Sequence, residues 1–148
     1  MNDIDFMTIA LEEAKKAAKK NEIPVGAVIV LNGKILSKAH NNKEKTHDIT
    51  GHAEILALKK ASKILNSWNL SGATIYVTME PCLMCSSAII NSRIKRIVYG
   101  VDAIQNELSL SLISDYIFNN GIEVKKSLLK NEINEVLEGF FNKIRCKK

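Results

Sequence analysis

The stretch Ala73-Thr-Ile-Tyr-Val-Thr-Met79, Glu80-Pro81-Cys82-Leu83-Met84-Cys85-Ser-Ser-Ala-Ile-Ile-Asn91 and Ser92-Arg-Ile-Lys95-Arg-Ile-Val-Tyr-Gly100 decides the fold. Its first seven residues are rich in β-branched and aromatic side chains, the composition of a strand. Pro81 then stands where a helix opens. The N–H that proline lacks would have no partner in a first helical turn, so Pro81 to Asn91 reads as a helix. Lys95 to Gly100 is strand-like again. A strand, a helix and a strand within about 28 residues make a βαβ unit, whose two strands lie parallel.

Toward the N-terminus, Ile4 to Lys20 has Phe6, Ile9, Ala10, Ala14 and Ala17 at helical spacing, with Asn2 or Asp3 as N-cap and lysines near the end. Val25 to Leu31 and Lys34 to Ala39 are short apolar runs joined by Asn32-Gly33, the pair preferred in a two-residue type I′ turn, and predict a hairpin. His40 to Gly51 is a polar loop of twelve residues, a length that points to function. Helical spacing returns from His52 to Leu65 through Ile55, Leu56, Leu58 and Ala61. Beyond the βαβ unit a helix near Glu107 to Tyr116, a short strand at Ile122 to Lys126 and a last helix from Asn131 to Arg145 are expected. No repeat or linker interrupts the series, so residues 1–148 are expected to form one α/β domain with a mixed sheet.

Composition agrees with this and excludes other classes. At 148 residues with 46% hydrophobic and 25% charged residues the chain can build a core, and its composition is that of a globular protein rather than a disordered or collagenous one. The longest apolar run, Val25 to Leu31, is seven residues, against about 20 for a membrane helix. The acidic N-terminus, with Asp3, Asp5, Glu12 and Glu13, fits neither a secretory signal nor a transit peptide, so a cytoplasmic protein is expected. The net charge is 21 − 16 = +5, which favours polyanionic partners. Lys143, Arg145, Lys147 and Lys148 make the tail basic, while Asp102, Glu107 and Asp115 make residues 102–120 acidic. Lys15, Lys16, Lys19 and Lys20 read as a solvated helix end.

Two of the three cysteines form Cys82-Leu83-Met84-Cys85, which in a reducing compartment points to metal or redox chemistry. Positions three apart on a helix share a face, so both sulfurs can meet one ion, and a helix N-terminus favours the thiolate. His52-Ala53-Glu54 opens another helix. One His and two Cys suit zinc, and three protein ligands leave a fourth position for water, as in a catalytic site. Glu54, beside the ion and not needed as a ligand, is placed to move a proton. The order His-x-Glu, then Pro-Cys-x-x-Cys, is the signature of zinc-dependent base deaminases.

Beyond the signature, the sequence resembles the bacterial tRNA-specific adenosine deaminases of the cytidine deaminase-like superfamily. The resemblance runs through Ile23-Pro24-Val25-Gly26-Ala27-Val28, Asn41, Gly51-His52-Ala53-Glu54-Ile55, the block Val77 to Gly100, and Phe140-Phe141-Asn142-Lys143-Ile144-Arg145. It implies a three-layer α/β/α fold with a central mixed five-stranded sheet. It also implies removal of ammonia from the wobble adenosine of a tRNA anticodon stem-loop, leaving inosine, by a homodimer with one Zn2+ per subunit. Carried over residue by residue, His52, Cys82 and Cys85 bind the metal and Glu54 is the proton shuttle. Asn41 hydrogen-bonds the flipped base, with Ala53 expected beside it. Read from the residues themselves, Arg145 in the basic tail offers a rim for RNA and Phe140 or Phe141 a stacking surface, with Phe141 the expected contact. Read alone, Asn41 is as readily a turn residue, and the Phe140-Phe141 pair is as readily core. The chain departs from the family where Asp102-Ala103-Ile104-Gln105-Asn106-Glu107 lacks the usual Lys-x-Gly element, and no binding residue is carried onto 101–120. Two other readings fit the residues: a deaminase of a free base or nucleoside such as guanine or cytosine, and a non-enzymatic structural-zinc domain that binds nucleic acid.

Overall fold

A computed structural model describes residues 1–103 and 120–146. The expected helix near Glu107 to Tyr116, most of the acidic segment, and Lys147 and Lys148 lie outside the described residues. Helix α1 (Asp3–Lys19) leads into strands β1 (Gly26–Leu31) and β2 (Lys34–His40). Helix α2 (Ala53–Leu65), strand β3 (Thr74–Met79), helix α3 (Leu83–Asn91) and strand β4 (Arg96–Val101) follow. Strand β5 (Glu123–Lys125) and helix α4 (Lys130–Cys146) complete the described chain.

The sheet has five strands in the order β2-β1-β3-β4-β5. β1 runs antiparallel to β2 and to β3, whereas β3, β4 and β5 are parallel. The hairpin turns as its sequence dictates: Asn32 and Gly33 have φ of 52° and 76°, the two left-handed residues of a type I′ turn. Alternate residues of each strand feed opposite layers. Ala27, Ile29, Ile75, Val77, Ile97 and Tyr99 pack under α2 and α3. Val28, Val30, Tyr76 and Val98 pack against α1 and α4. Both faces are covered, which is why the central strands read as continuous apolar runs without a polar side. This is the three-layer α/β/α architecture with a mixed five-stranded sheet.

Two contacts seat α1 on the sheet. At Gly26 a methyl group would overlap the carbonyl oxygen of Ala10, so helix and strand backbones meet where only glycine fits. At the other end of the helix, Arg96 donates to Asp3 Oδ1 at 2.9 Å and to Oδ2 at 2.7 Å. The Tyr76 hydroxyl donates to Oδ1 at 2.6 Å and Lys125 to Oδ2 at 3.2 Å. One carboxylate thereby ties the first turn of α1 to three strands. The Arg96 guanidinium holds the Asp3 carboxyl well below the usual carboxylate range, and burial foremost pushes the Tyr76 phenol up to about 12.

A depressed folded-state pKa stabilises the protein above the unfolded value, near 3.9, and that contribution disappears as pH falls through the folded value. Asp3→Asn is therefore expected to lower stability by about 1–2 kcal/mol at about pH 7, a modest figure because the carboxylate is partly solvated. The gap to the parent chain should narrow as pH falls below about 4 and close only once folded Asp3 is itself protonated. Urea melts of both proteins at two pH values check this; a gap independent of pH would mean that the charge of Asp3 is not what matters.

Candidate active site

The site forms where the sheet changes from antiparallel to parallel. β1 starts, β2 ends and β3 ends at the same edge, and the N-termini of α2 and α3 open there. Their N-cap residues are His52 and Cys82. The sequence places Pro81 and Cys82 inside the helix; in the structure α3 starts at Leu83, and Cys82 keeps an extended backbone with φ −69° and ψ 175°. That non-helical residue brings its sulfur beside Cys85 in the first turn. Helix N-termini carry partial positive charge, which favours thiolates at this end.

His52 Nδ1 lies 3.7 Å from Cys82 Sγ and 3.5 Å from Cys85 Sγ, and the three candidate ligand atoms all fall within 4.8 Å of one another. Zinc–nitrogen and zinc–sulfur bonds of about 2.05 and 2.3 Å at a tetrahedral angle give a nitrogen–sulfur edge of about 3.6 Å. The chemistry of the donors fits a cation as well. Cys85 donates its proton to Cys82, which pulls the Cys82 thiol down to about 4, and the same contact holds Cys85 up. A divalent cation held by the three ligand atoms would favour the thiolate of both cysteines. Among the described residues, no fourth side chain joins this group.

Glu54, two residues along α2, is buried, with 4% of its surface exposed, and burial foremost pushes its carboxyl up to about 7. A group ionising near neutrality can both take and return a proton at working pH. It opens onto a cavity of about 340 Å3 lined by His52, Cys82, Asn41, Met79 and Ala103 among others. Asn41 Oδ1 accepts a hydrogen bond from the Ala53 N–H at 2.8 Å. Two expected substrate contacts therefore bind each other: the Ala53 N–H is occupied, and Asn41 keeps its NH2 donors. Upstream, His40 Nδ1 donates to buried Glu13 at 3.0 Å and Nε2 accepts from Lys20 at 3.2 Å, which fixes the strand end that precedes Asn41.

Phe141 and Arg145 do not line this cavity. Phe140 is buried, Phe141 is half-buried against the α1 and α4 layer with its ring centroid 5.3 Å from that of Phe140, and Arg145 is exposed. Phe140 is thus a core residue. Sequence reasoning missed Glu22, Lys43, Glu44 and Glu80, which also line the cavity. Nothing in their spacing marks them, because they come from three separate connections.

A family model described as MafB19-like deaminase matches residues 1–145. The chain belongs to this deaminase family. The resemblance to bacterial tRNA-specific adenosine deaminases is borne out by a relative of that name from Bacillus subtilis. It is 41% identical over 146 residues, with 97% of this chain and 91% of the relative covered. A solved structure from work on A-to-I editing by tRNA:A34 deaminases at the wobble position superposes with a TM-score of 0.82 at 36% identity, covering 90% of this chain and 99% of that one. The guanine deaminase of Nitrosomonas europaea superposes with a TM-score of 0.84 at 20% identity, over 93% of this chain and 83% of that one. At that identity the likeness is one of fold. Among the described residues, no helix of this family member is long and apolar enough to cross a membrane.

Proposed function

We propose that the chain is a zinc-dependent hydrolase that converts the wobble adenosine of a tRNA anticodon to inosine. The observation that carries the reading is the convergence of His52, Cys82 and Cys85 at the wall of a cavity into which buried Glu54 opens. His52, Cys82 and Cys85 hold one zinc per subunit within a single domain spanning 1–148. When bound, the metal supplies a Lewis acid that makes water a nucleophile near neutral pH. The flipped base enters the cavity, and the NH2 of Asn41 donates to a ring acceptor, held in place by the contact with Ala53. Glu54 takes a proton from the water that adds at C6 of the adenine and delivers it to the departing amine, so adenosine and water leave as inosine and ammonia. The mouth must admit a base still attached to its backbone, and a single-stranded anticodon loop presents such bases already unstacked.

Phe141 and Arg145, on the last helix, serve the flanking RNA outside the cavity, with the basic tail attracting phosphate. A homodimer is supported by exposed apolar side chains: Leu83 and Met84 next to Cys82 in sequence, and Trp68, which lines a groove between α2 and α3. A tRNA-processing role agrees with a cytoplasmic location.

The test is incubation of zinc-loaded protein with an anticodon stem-loop carrying a wobble adenosine, followed by mass spectrometry. Conversion of that one adenosine to inosine is the expected result. An unchanged stem-loop together with turnover of guanine or cytosine would replace this reading with deamination of a free base.

A further inference from the structure

We propose that Glu22 is a positioning residue for the deamination: it pins the loop that carries Asn41 over the cavity and so governs how well the substrate is held. The inference rests on the functional reading above. Glu22 leaves α1 through a tight C-terminal turn in which Asn21 has φ 60°, its N–H bonds Ala18 O at 3.1 Å, and the Glu22 N–H bonds Ala17 O at 3.0 Å. This motif fixes the Glu22 backbone without help from its side chain. The side chain turns inward, keeps 2% of its surface exposed, and lines the cavity.

Among the described residues, its two oxygens receive a single donor, the Glu44 N–H, at 2.6 and 3.1 Å. Glu44 belongs to the polar loop that begins at Asn41. The loop closes on itself through Asn42 N–H to Gly51 O at 2.8 Å and Asp48 N–H to Lys43 O at 3.1 Å. A Cβ at Gly51 would come within 2.7 Å of the Asn42 carbonyl, so the two ends of the loop touch. The loop is therefore tied across its own ends, and it is anchored at Glu22 on one side and by Asn41 to Ala53 on the other. Burying a carboxylate for one backbone hydrogen bond is a poor structural bargain, since a neutral amide would satisfy that N–H with less loss of hydration. The charge makes the bond roughly twice as strong as a neutral one, which suits a clamp against substrate entry.

Glu22→Ala and Glu22→Gln, compared with the parent chain on the anticodon stem-loop, test this. Glu22→Ala is expected to raise KM about ten- to a hundredfold with kcat within about threefold, the pattern of lost binding with intact chemistry. Zinc content should not change. Glu22→Gln keeps an acceptor oxygen without the charge and should restore the KM in part. Amide hydrogen exchange at Glu44 should accelerate in Glu22→Ala while exchange within α2 stays as in the parent. Parental KM and parental exchange at Glu44 would overturn the proposal, as would an equal loss of kcat and zinc in both variants. If the parent chain leaves the stem-loop unedited, the functional reading fails, and exchange at Glu44 still decides whether Glu22 holds the loop.

Discussion

Glu54→Gln is expected to fold and load zinc like the parent chain and to deaminate the stem-loop about 10^3- to 10^4-fold more slowly. The two side chains have nearly the same volume, so the 4% exposed pocket of Glu54 needs no repacking. What the amide loses is the proton. Burial has already moved the carboxyl up to about 7, where it exchanges a proton readily, and glutamine cannot do so. A buried carboxylate also costs the folded state its hydration, so thermal stability should hold or rise. The comparison separates the enzyme from a structural-zinc domain, in which the same substitution would leave nucleic-acid binding as it was and have no rate to change. Single-turnover rates with zinc quantified on the same sample check the claim, and a loss smaller than about tenfold would remove the shuttle role from Glu54.

The architecture was legible where local rules act alone. Asn32-Gly33 could only turn as a type I′ hairpin between apolar strands, and the alternation that buries Val28 on one face and Ile29 on the other follows from strand geometry. The ligand triad was legible for a related reason. Each ligand sits at a helix start, and helix starts leave sequence marks such as Pro81 before Cys82. Even so, the start of α3 came two residues late, because Cys82 serves as N-cap and stays extended.

Contacts between remote segments left no such mark. That β1 lies between β2 and β3, antiparallel to both, depends on nonlocal packing, and no pattern within β1 states it. No motif in the sequence marks Glu22, and the turn after α1 brings it to the cavity. Asn41 and Ala53 were both expected at the substrate, and their bond to each other crosses a twelve-residue loop. Phe140 and Phe141 could not be told apart from sequence, since which ring faces the core depends on how α4 is rotated against α1.

The other large effect is expected at Cys85. Its sulfur is fully buried and lies 3.5 Å from His52 Nδ1, and no other thiol among the described residues is near enough to replace it. Cys85→Ala should weaken zinc binding by more than about a hundredfold, since removing a ligand exceeds the usual effect of disturbing a group behind one. Two changes compound. The ion loses one of three protein donors, and Cys82 loses the hydrogen bond that contributes most to its low pKa, so the remaining thiol is a poorer ligand at neutral pH. Because zinc binds the folded chain, its loss also appears as stability: at about a hundredfold excess over Kd a ligand contributes about 2.7 kcal/mol. A chelator should therefore lower the Tm of the parent chain and leave that of Cys85→Ala where it is. Cys146→Ala supplies the control, because that exposed thiol near the end of α4 lies outside the ligand group and its loss should leave one zinc per chain. Full zinc in Cys85→Ala, with a chelator response equal to that of the parent, would show that the ion is held elsewhere.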